Sequence, residues 1–343
     1  MGTRFRCGMY GGSFNPLHLG HVSDMLQAAN QCDKLIVVLC TNKGEIDPRI
    51  RYRWIHQTVG HYPNVQIFIL DENHEDKHEV TKQEWLDGAE KVKQFAGEPI
   101  DVIFYGDDYD DTNSMWRECY PNAKSVIFPR NEINSTDIRS NPLKYWDWMP
   151  QYVRWHYAKR VLVLGPESTG KTVLVQSLAR RFNTNYIEEA GRELSQLSGT
   201  CLQMLPEDYT RILTSQLNKY LTERQKANRV FFEDTNSMYT RYFMTYMDRY
   251  KVSDPNQILA WAMTKLSVCE EHYDLILLLQ PTVDFIDDGC RVDSHKDDRW
   301  KCLDYLKTMC QHYKLQDRLV EIALPDYNER YCLAVAAVEN ILK

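Results

Sequence analysis

Residues 165–172 read GPESTGKT, a G-x-x-x-x-G-K-[ST] run, and its flanks constrain the chain as strongly as the run does. The apolar stretch RVLVLG leads into it from Arg160, and the helix-like VLVQSLARRF follows. Strand, phosphate loop and helix form one unit. Glycines let the backbone curl around phosphate oxygens, amide N–H groups at the helix start meet negative charge, and a lysine reaches the β and γ oxygens. Gly165, Pro166, Glu167, Ser168, Thr169, Gly170, Lys171 and Thr172 are therefore the expected ATP loop, with Lys171 on the phosphates and Thr172 on Mg²⁺. The loop sits near the middle of 343 residues, a length beyond what one core usually supports, so a separate domain is expected ahead of it.

The first half alternates apolar or β-branched runs with amphipathic stretches: RFRCGMY, KLIVVLCT from Lys34, VQIFIL from Val65, DVIFYG from Asp101 and KSVIF from Lys124. A second series runs through RVLVLG, VFFEDT at Val230, DLILLLQ at Asp274 and LVEIALP at Leu319. Both rhythms are those of βαβ units around a parallel sheet. The expected fold class is α/β in two domains, residues 1–156 and 157–343. The aromatic connector NPLKYWDWMPQYVRWHYAK, with Pro142 and Pro150, reads as packed rather than flexible, and the boundary falls near His156. TKQEWLDGAEKVKQFAG from Thr81 reads as a solvated amphipathic helix in which Trp85 is the exception.

Composition excludes several classes. No apolar run approaches the ~20 residues needed to cross a bilayer, and no basic-then-apolar leader opens the chain, so a cytoplasmic protein with no membrane partner is expected. The 10 cysteines include no Cys-x-x-Cys pair, and Cys302 and Cys310 are too far apart for a compact zinc knuckle, so reduced and mostly buried thiols are expected. A net charge of −7 argues against a nucleic-acid partner. Phosphate must then be held by local devices.

One such device is GMYGGSFNPLHLGH, Gly8 to His21: a strand, a glycine turn, a proline-bearing loop and a helix start. Gly11 and Gly12 permit close backbone approach to phosphate. His18 and His21 are three apart, so on a helical turn they share a face and can point at a polyphosphate; zinc is the minor alternative. INSTDIR, Ile133 to Arg139, supplies a second helix start, with Ser135 and Thr136 as capping residues and Arg139 as a bidentate phosphate donor. In the second half, Asp234 ends a strand opposite Thr172 as a metal ligand, and Glu189, Arg192, Asp288 and Arg291 fall where strands should end, the edge at which open α/β sheets bind ligands.

At these residues the chain resembles the HxGH nucleotidyltransferases, whose HxGH and ISxTxxR signatures match HLGH at His18 and NSTDIR at Asn134, with Asn134 where serine is usual. Together with GPESTGKT, EEAGRE, FFEDTN, DDGCR, LPDYNERY and KYWDWMP, the chain is similar over nearly its whole length to the bifunctional nicotinamide-nucleotide adenylyltransferase/ribosylnicotinamide kinases of the NadR type. The resemblance implies a Rossmann-like HxGH nucleotidyltransferase fold followed by a P-loop kinase fold, using ATP with Mg²⁺ on ribosylnicotinamide, NMN and NAD, and it leaves a homo-oligomer open.

It further implies that His18, His21 and Arg139 stabilise the ATP polyphosphate as an NMN phosphate oxygen attacks Pα. Gly11, Gly12, Ser13, Phe14, Asn15, Arg53, Trp54, Trp85, Gly106, Asp107, Arg130, Asn134, Ser135 and Thr136 are carried over as the nucleotide pocket, with Trp85 placed to stack on a pyridinium. In the kinase half it implies Lys171 and Thr172 on phosphates and metal, Asp234 as metal ligand or base, Arg291 as a lid-like charge stabiliser, and Glu189, Arg192, Asn236 and Asp288 around the acceptor. Asn236 replaces a second aspartate that relatives can carry, which weakens a two-aspartate mechanism. The family's founding branch adds a helix-turn-helix repressor domain, for which no room is expected ahead of the first strand. Competing readings are the same folds on another substrate, such as a pantetheine-phosphate or cytidylyl transferase fused to a nucleoside kinase, and a NAD-sensing regulator, which needs a DNA-binding element. A class I aminoacyl-tRNA synthetase shares an HIGH-like motif, but this sequence lacks a KMSKS-like loop.

Overall fold

The computed structural model describes residues 4–74, 80–107, 115–129, 132–199, 204–246, 255–270, 273–286 and 298–343. The chain divides into two compact units, Met1–Arg154 and Trp155–Lys343. Each is organised around its own five-stranded, all-parallel sheet.

In the first unit β1 (Phe5–Gly12), β2 (Cys32–Asn42), β3 (Val65–His74), β4 (Val102–Gly106) and β5 (Lys124–Phe128) lie in the order β3-β2-β1-β4-β5. The helices between them are α1 (Leu19–Gln31), α2 (Pro48–Val59), α3 (Lys82–Ala96) and α4 (Met115–Cys119), and α5 (Ser135–Ser140) and α6 (Gln151–Arg154) close the unit. The run Leu35–Leu39 is buried throughout, as a strand covered on both faces should be. α3 starts on a capping box, Thr81 with Glu84, and ends on Gly97 at φ 68°, a left-handed stop that glycine adopts without penalty. Its inner face, Ala89, Val92 and Ala96, packs with Met9, Ile36 and Val38. The order reverses direction between β1 and β4, and such a switch point opens a crevice at the strands' C-terminal ends. Of the connector, Trp146, Met149 and Val153 are buried.

In the second unit β6 (Lys159–Leu164), β7 (Tyr186–Ile187), β8 (Val230–Asp234), β9 (Leu275–Leu279) and β10 (Leu319–Ile322) take the order β10-β9-β6-β8-β7. α7 (Lys171–Arg181), α8 (Gly191–Leu197), α9 (Pro206–Glu223), α10 (Ser237–Tyr246), α11 (Pro255–Glu270) and the helices Arg299–His312 and Tyr327–Ile341 surround it. Strand alternation splits the core. Val161 and Val163 pack with Leu174, Val175, Ala334 and Val338 on one face, while Leu162 and Leu164 pack with Met238, Ile276 and Leu306 on the other. Each fully buried aliphatic side chain contributes about 1.5–3 kcal/mol, and the phosphate loop leaves the sheet from the centre of this double core. β7 has no counterpart among the expected strands, because two residues carry no periodicity. Cys7, Cys32, Cys119, Cys302 and Cys310 are buried free thiols. No helix among the described residues is long and apolar enough to cross a membrane.

Candidate functional site

In the first unit, Gly11 and Gly12 end β1 and Gly106 ends β4, on either side of the switch point, with Asp107 following and its N–H given to the Phe128 carbonyl at 3.1 Å. The loop from Ser13 leads to His18, the N-cap of α1, whose Nδ1 accepts from the His21 N–H at 3.4 Å. That bond assigns the His18 proton to Nε2. The two imidazoles stack with centroids 3.6 Å apart and planes at 23°, and Phe14 meets the His21 ring edge-on at 5.1 Å. Burial pushes the His18 pKa down to about 4. Burial, and then the neighbouring His18, hold His21 well below the ordinary histidine value. Both rings are thus neutral near pH 7. His21 Nδ1 is buried and meets no hydrogen-bond partner among the described residues, and α1 carries no acidic residue in its first turn. A buried donor or acceptor of this kind is costly unless a ligand completes it.

α5 converges on the same loop. Asn134 caps it by accepting from the Asp137 N–H at 2.8 Å, Ser135 Oγ donates to the Pro16 carbonyl at 3.1 Å, and Arg139 donates to the Asn15 carbonyl and to Thr136 Oγ1 at 3.0 Å. Ser135 is therefore occupied as a tie between segments, which its reading as a plain capping residue did not foresee. The loop's other clamp is Arg51. It is 1% exposed, donates to the carbonyls of Ser13, Cys40 (3.1 Å) and Ile46 (2.7 Å), and pairs with Glu45 at 2.9 Å. The next residue, Phe14, sits at φ 48°, a left-handed conformation that costs an aromatic residue energy, so the loop needs such a clamp.

The carried-over pair Arg53 and Trp54 lies on α2. Trp54 is 1% exposed in the core, and Arg53 is exposed on the other side of α2 from Arg51, two residues being roughly 200° around a helix. Trp85 is half-buried and meets Trp116 edge-to-face at 5.0 Å. Trp116 was not anticipated, yet its ring is the nearest group to a Cβ built on Gly11, at 3.6 Å, so it lies over the end of β1. Arg130 lies outside the described residues, as do Asp288 and Arg291.

In the second unit the phosphate loop is held open by left-handed backbone. Ser168 is at φ 58° and Gly170 at φ 83°, and a Cβ at Gly165 would stand 2.7 Å from the Leu279 carbonyl, which makes glycine obligatory there. Lys171 opens α7. Its Nζ donates to the Pro166 carbonyl at 2.9 Å, as Thr169 Oγ1 does at 2.8 Å, and lies 4.7 Å from the Tyr239 ring centroid. Two buried arginines that the sequence reading missed grip the loop's carbonyls. Arg330 donates to Thr169 at 2.8 Å and Gln280 at 2.8 Å, and Arg299 to Ser168 at 3.4 Å and Val283 at 3.0 Å.

Thr172 Oγ1 donates to Asp234 Oδ2 at 2.5 Å, while Asp234 Oδ1 is buried without a partner among the described residues. An orphaned carboxylate oxygen beside a hydroxyl is the oxygen donor set that a hard cation takes, so these residues fit Mg²⁺. Burial raises the Asp234 pKa against the pull of Lys171. Burial likewise lifts Glu189 to about 7, with Lys171 opposing and Asp234 adding to the rise.

Glu167, Ser168, Lys171, Thr172, Glu189, Arg192 and Asn236 line one cleft of about 590 Å³, with Tyr209, Ile212 and Gln216 of α9 forming a wall. Asn236 is 2% exposed, and its Oδ1 caps α10 by accepting from the Met238 N–H at 3.1 Å. A second cleft, about 600 Å³, opens on the far side of Gly170 between Val173, Ser177, Arg180, Tyr327 and Tyr331. The two share Thr169, Gly170, Val173 and Tyr327, so one loop faces both.

Residues 9–156 match the cytidylyltransferase-like family and residues 160–330 the AAA domain family. The trifunctional NAD biosynthesis/regulator protein NadR of Escherichia coli (strain K12) is 26% identical over 357 aligned positions, spanning 98% of this chain and 83% of that protein. A NadR protein solved in complex with NR superposes with a TM-score of 0.82 at 23% identity, covering 98% of this chain and 96% of that one. A NadR protein in complex with NAD and AMP-PNP gives 0.80 at 22%, with the same coverage. One likeness that spans the HLGH strand-loop-helix, the aromatic connector and the phosphate loop in a single alignment is a likeness of whole chains, and the chain is similar to NadR over 98% of its length.

Proposed function

We propose that this chain makes NAD in two ATP-dependent steps: phosphorylation of ribosylnicotinamide to NMN in residues 157–343, and adenylyl transfer from ATP to NMN in residues 1–156. The observation that carries the reading is two separate loops with phosphate-binding sequence patterns on one chain, each at the C-terminal edge of its own parallel sheet. The NadR name, with its NAD biosynthesis role, and the NR, NAD and AMP-PNP of the solved NadR complexes support the choice of substrates.

In the kinase step the 5′-hydroxyl oxygen of the riboside attacks the γ-phosphorus, the bond to the β,γ-bridging oxygen breaks, and ADP leaves. Glu189, with a pKa near 7, takes the hydroxyl proton, since a base is most effective near the working pH. Asp234 is then left to the metal, in place of the dual role the resemblance implied. Lys171 compensates charge on the transferred group, and the second cleft, against Tyr327, takes the base of ATP. Thr172 and Asp234 hold Mg²⁺, which when bound neutralises the β and γ oxygens.

In the transferase step an NMN phosphate oxygen attacks Pα and pyrophosphate leaves, with no covalent intermediate. His18 Nε2–H, His21 and Arg139 stabilise the polyphosphate, so the work is positioning and charge stabilisation. Trp85 and Trp116 supply the aromatic surface for the pyridinium. The protein works in the cytosol, without nucleic-acid or membrane partners. Incubating it with ATP, Mg²⁺ and ribosylnicotinamide and following NMN, ADP, NAD and pyrophosphate by chromatography tests the reading. NMN must rise and then fall as NAD appears.

A further inference from the structure

α9 presents Tyr209, Ile212 and Gln216 to the first cleft, spaced three and four apart and therefore on one face. All three are nearly buried, at 2%, 7% and 5% exposure. Lys171 and Thr172, which line the same cleft, belong to phosphate and metal. Tyr209 and Ile212, joined by Met204 and Phe243, are the apolar surface on which a flat ring is desolvated at least cost. Gln216, one turn beyond Ile212, is the polar group at the edge of that surface.

Its orientation is fixed from behind. Gln216 Nε2 donates to Glu233 Oε1 at 2.9 Å and to the Thr235 carbonyl at 3.3 Å, which uses both of its N–H groups. A backbone carbonyl can only accept, so the nitrogen must face it and the amide cannot be turned around. Glu233 is itself held, 1% exposed, with Tyr273 donating to its Oε2 at 2.6 Å. Gln216 Oε1 consequently faces away from this network, and no donor reaches it among the described residues.

We propose that Gln216 Oε1 is the specificity determinant of the kinase site, accepting a hydrogen bond from the carboxamide N–H of ribosylnicotinamide and excluding the deamidated riboside, whose carboxylate can only accept. The assignment rests on the kinase reading above and adds a substrate preference to it. An acceptor facing an acceptor leaves both unpaired in a dry site, and a group locked by two bonds cannot rotate to relieve the mismatch.

The test uses the full chain and measures kcat/KM for ADP formation with ribosylnicotinamide, with its carboxylate counterpart, and with the riboside of 3-acetylpyridine, which keeps the carbonyl but has no N–H. Wild type should favour the amide over the acid by roughly 10- to 100-fold, the scale of one mispaired buried hydrogen bond, and should handle the acetyl analogue about tenfold worse than the amide. Gln216→Leu should lower kcat/KM for the amide while sparing the other two, bringing the ratios close to one. Glu233→Gln, which removes the carboxylate acceptor and leaves the Thr235 carbonyl as the one remaining lock on the amide, should shrink the amide-to-acid ratio with Gln216 still in place. Retained turnover of the acid and of the acetyl analogue by the same preparations reports that the kinase unit of each variant is folded. A wild-type ratio near one, equal handling of the acetyl analogue and the amide, or an unchanged ratio in Gln216→Leu overturns the proposal. Phosphorylation of none of the three ribosides by wild type defeats the kinase reading itself, and the specificity assignment with it.

Discussion

The two units hold their phosphate loops with the same tool and load them with different chemistry. In each, arginines grip the loop's carbonyls: buried Arg51 and exposed Arg139 on Ser13 and Asn15, buried Arg299 and Arg330 on Ser168 and Thr169. Beyond that they diverge. Both loops contain left-handed backbone, Phe14 in one and Ser168 and Gly170 in the other, but the second unit concentrates formal charge around its loop, Lys171 beside Asp234 and Glu189. The first unit relies on two neutral, stacked imidazoles and one guanidinium. A γ-phosphoryl in flight needs charge compensation at one point, whereas a polyphosphate held while Pα is attacked needs several donors spread along it. The kinase unit should therefore fail sharply on losing one charge, and the transferase unit by smaller steps.

The largest effect is expected at Lys171. Lys171→Ala should depress ribosylnicotinamide phosphorylation by three or more orders of magnitude, roughly, because positioning and electrostatics supply nearly all the catalysis in phosphoryl transfer. Adenylylation of NMN by the same protein should hold at the wild-type rate. Wild-type kinase activity in this variant would remove the phosphate-loop assignment, and a matching loss of adenylylation would break the separation of the two sites.

Next comes Glu189. Its carboxyl is raised to about 7, so the ionised fraction that can accept a proton grows as pH rises through that value. Kinase kcat/KM should climb between pH 6 and 8 and level off above. Glu189→Gln should erase that limb and cost on the order of 10²–10⁴ in rate, the usual worth of a general base. If instead Asp234→Asn erases the limb, and raised Mg²⁺ restores nothing, the base is Asp234 and the division of labour proposed here is reversed.

How much of this was legible depends on whether a residue acts through its neighbours in sequence or in space. GPESTGKT and GGSFNPLHLGH could be read because strand, loop and helix start are contiguous, and local chemistry dictates all three. Arg51, Arg299, Arg330, Gln216 and Trp116 act through groups brought to them by the fold, and for all but Arg51 no spacing rule announces them. A signal for Arg51 did exist. It shares the face of α2 with Trp54, Ile55 and Val59, and an arginine on an apolar stripe must find partners inside. Following the helical period would have marked Arg51 as an inward-facing clamp.

In the transferase unit the expected losses are smaller. His21→Ala and Arg139→Ala should each lower NAD formation from NMN by roughly a hundredfold, the scale of one lost transition-state donor, with kinase activity intact. Arg139 also ties α5 to the Asn15 carbonyl, so Arg139→Lys distinguishes its two duties. A lysine keeps the charge without the fork, and partial recovery of rate would assign most of the loss to charge.

The smallest effect follows from the neutrality of the histidines. His18 has a folded pKa of about 4 against the ordinary histidine value of 6.5, because burial penalises its charged form. Between those values the unfolded chain binds a proton that the folded one refuses, so the first unit's stability rises with pH across this window. It is complete above about 6.5, declines as pH falls toward 4, and loses nothing further below, where both forms are protonated. The contribution from His18 between pH 7 and 5 is about 2 kcal/mol. His18→Gln removes the titrating group at similar polarity and should flatten the dependence of the first unfolding transition on pH in this range. Histidine NMR on the intact chain reads the cause directly: a resonance assigned to His18 should titrate near pH 4, and one that titrates near 6.5 would show an imidazole cationic at mildly acidic pH and return the first unit to the charge-based design of the second.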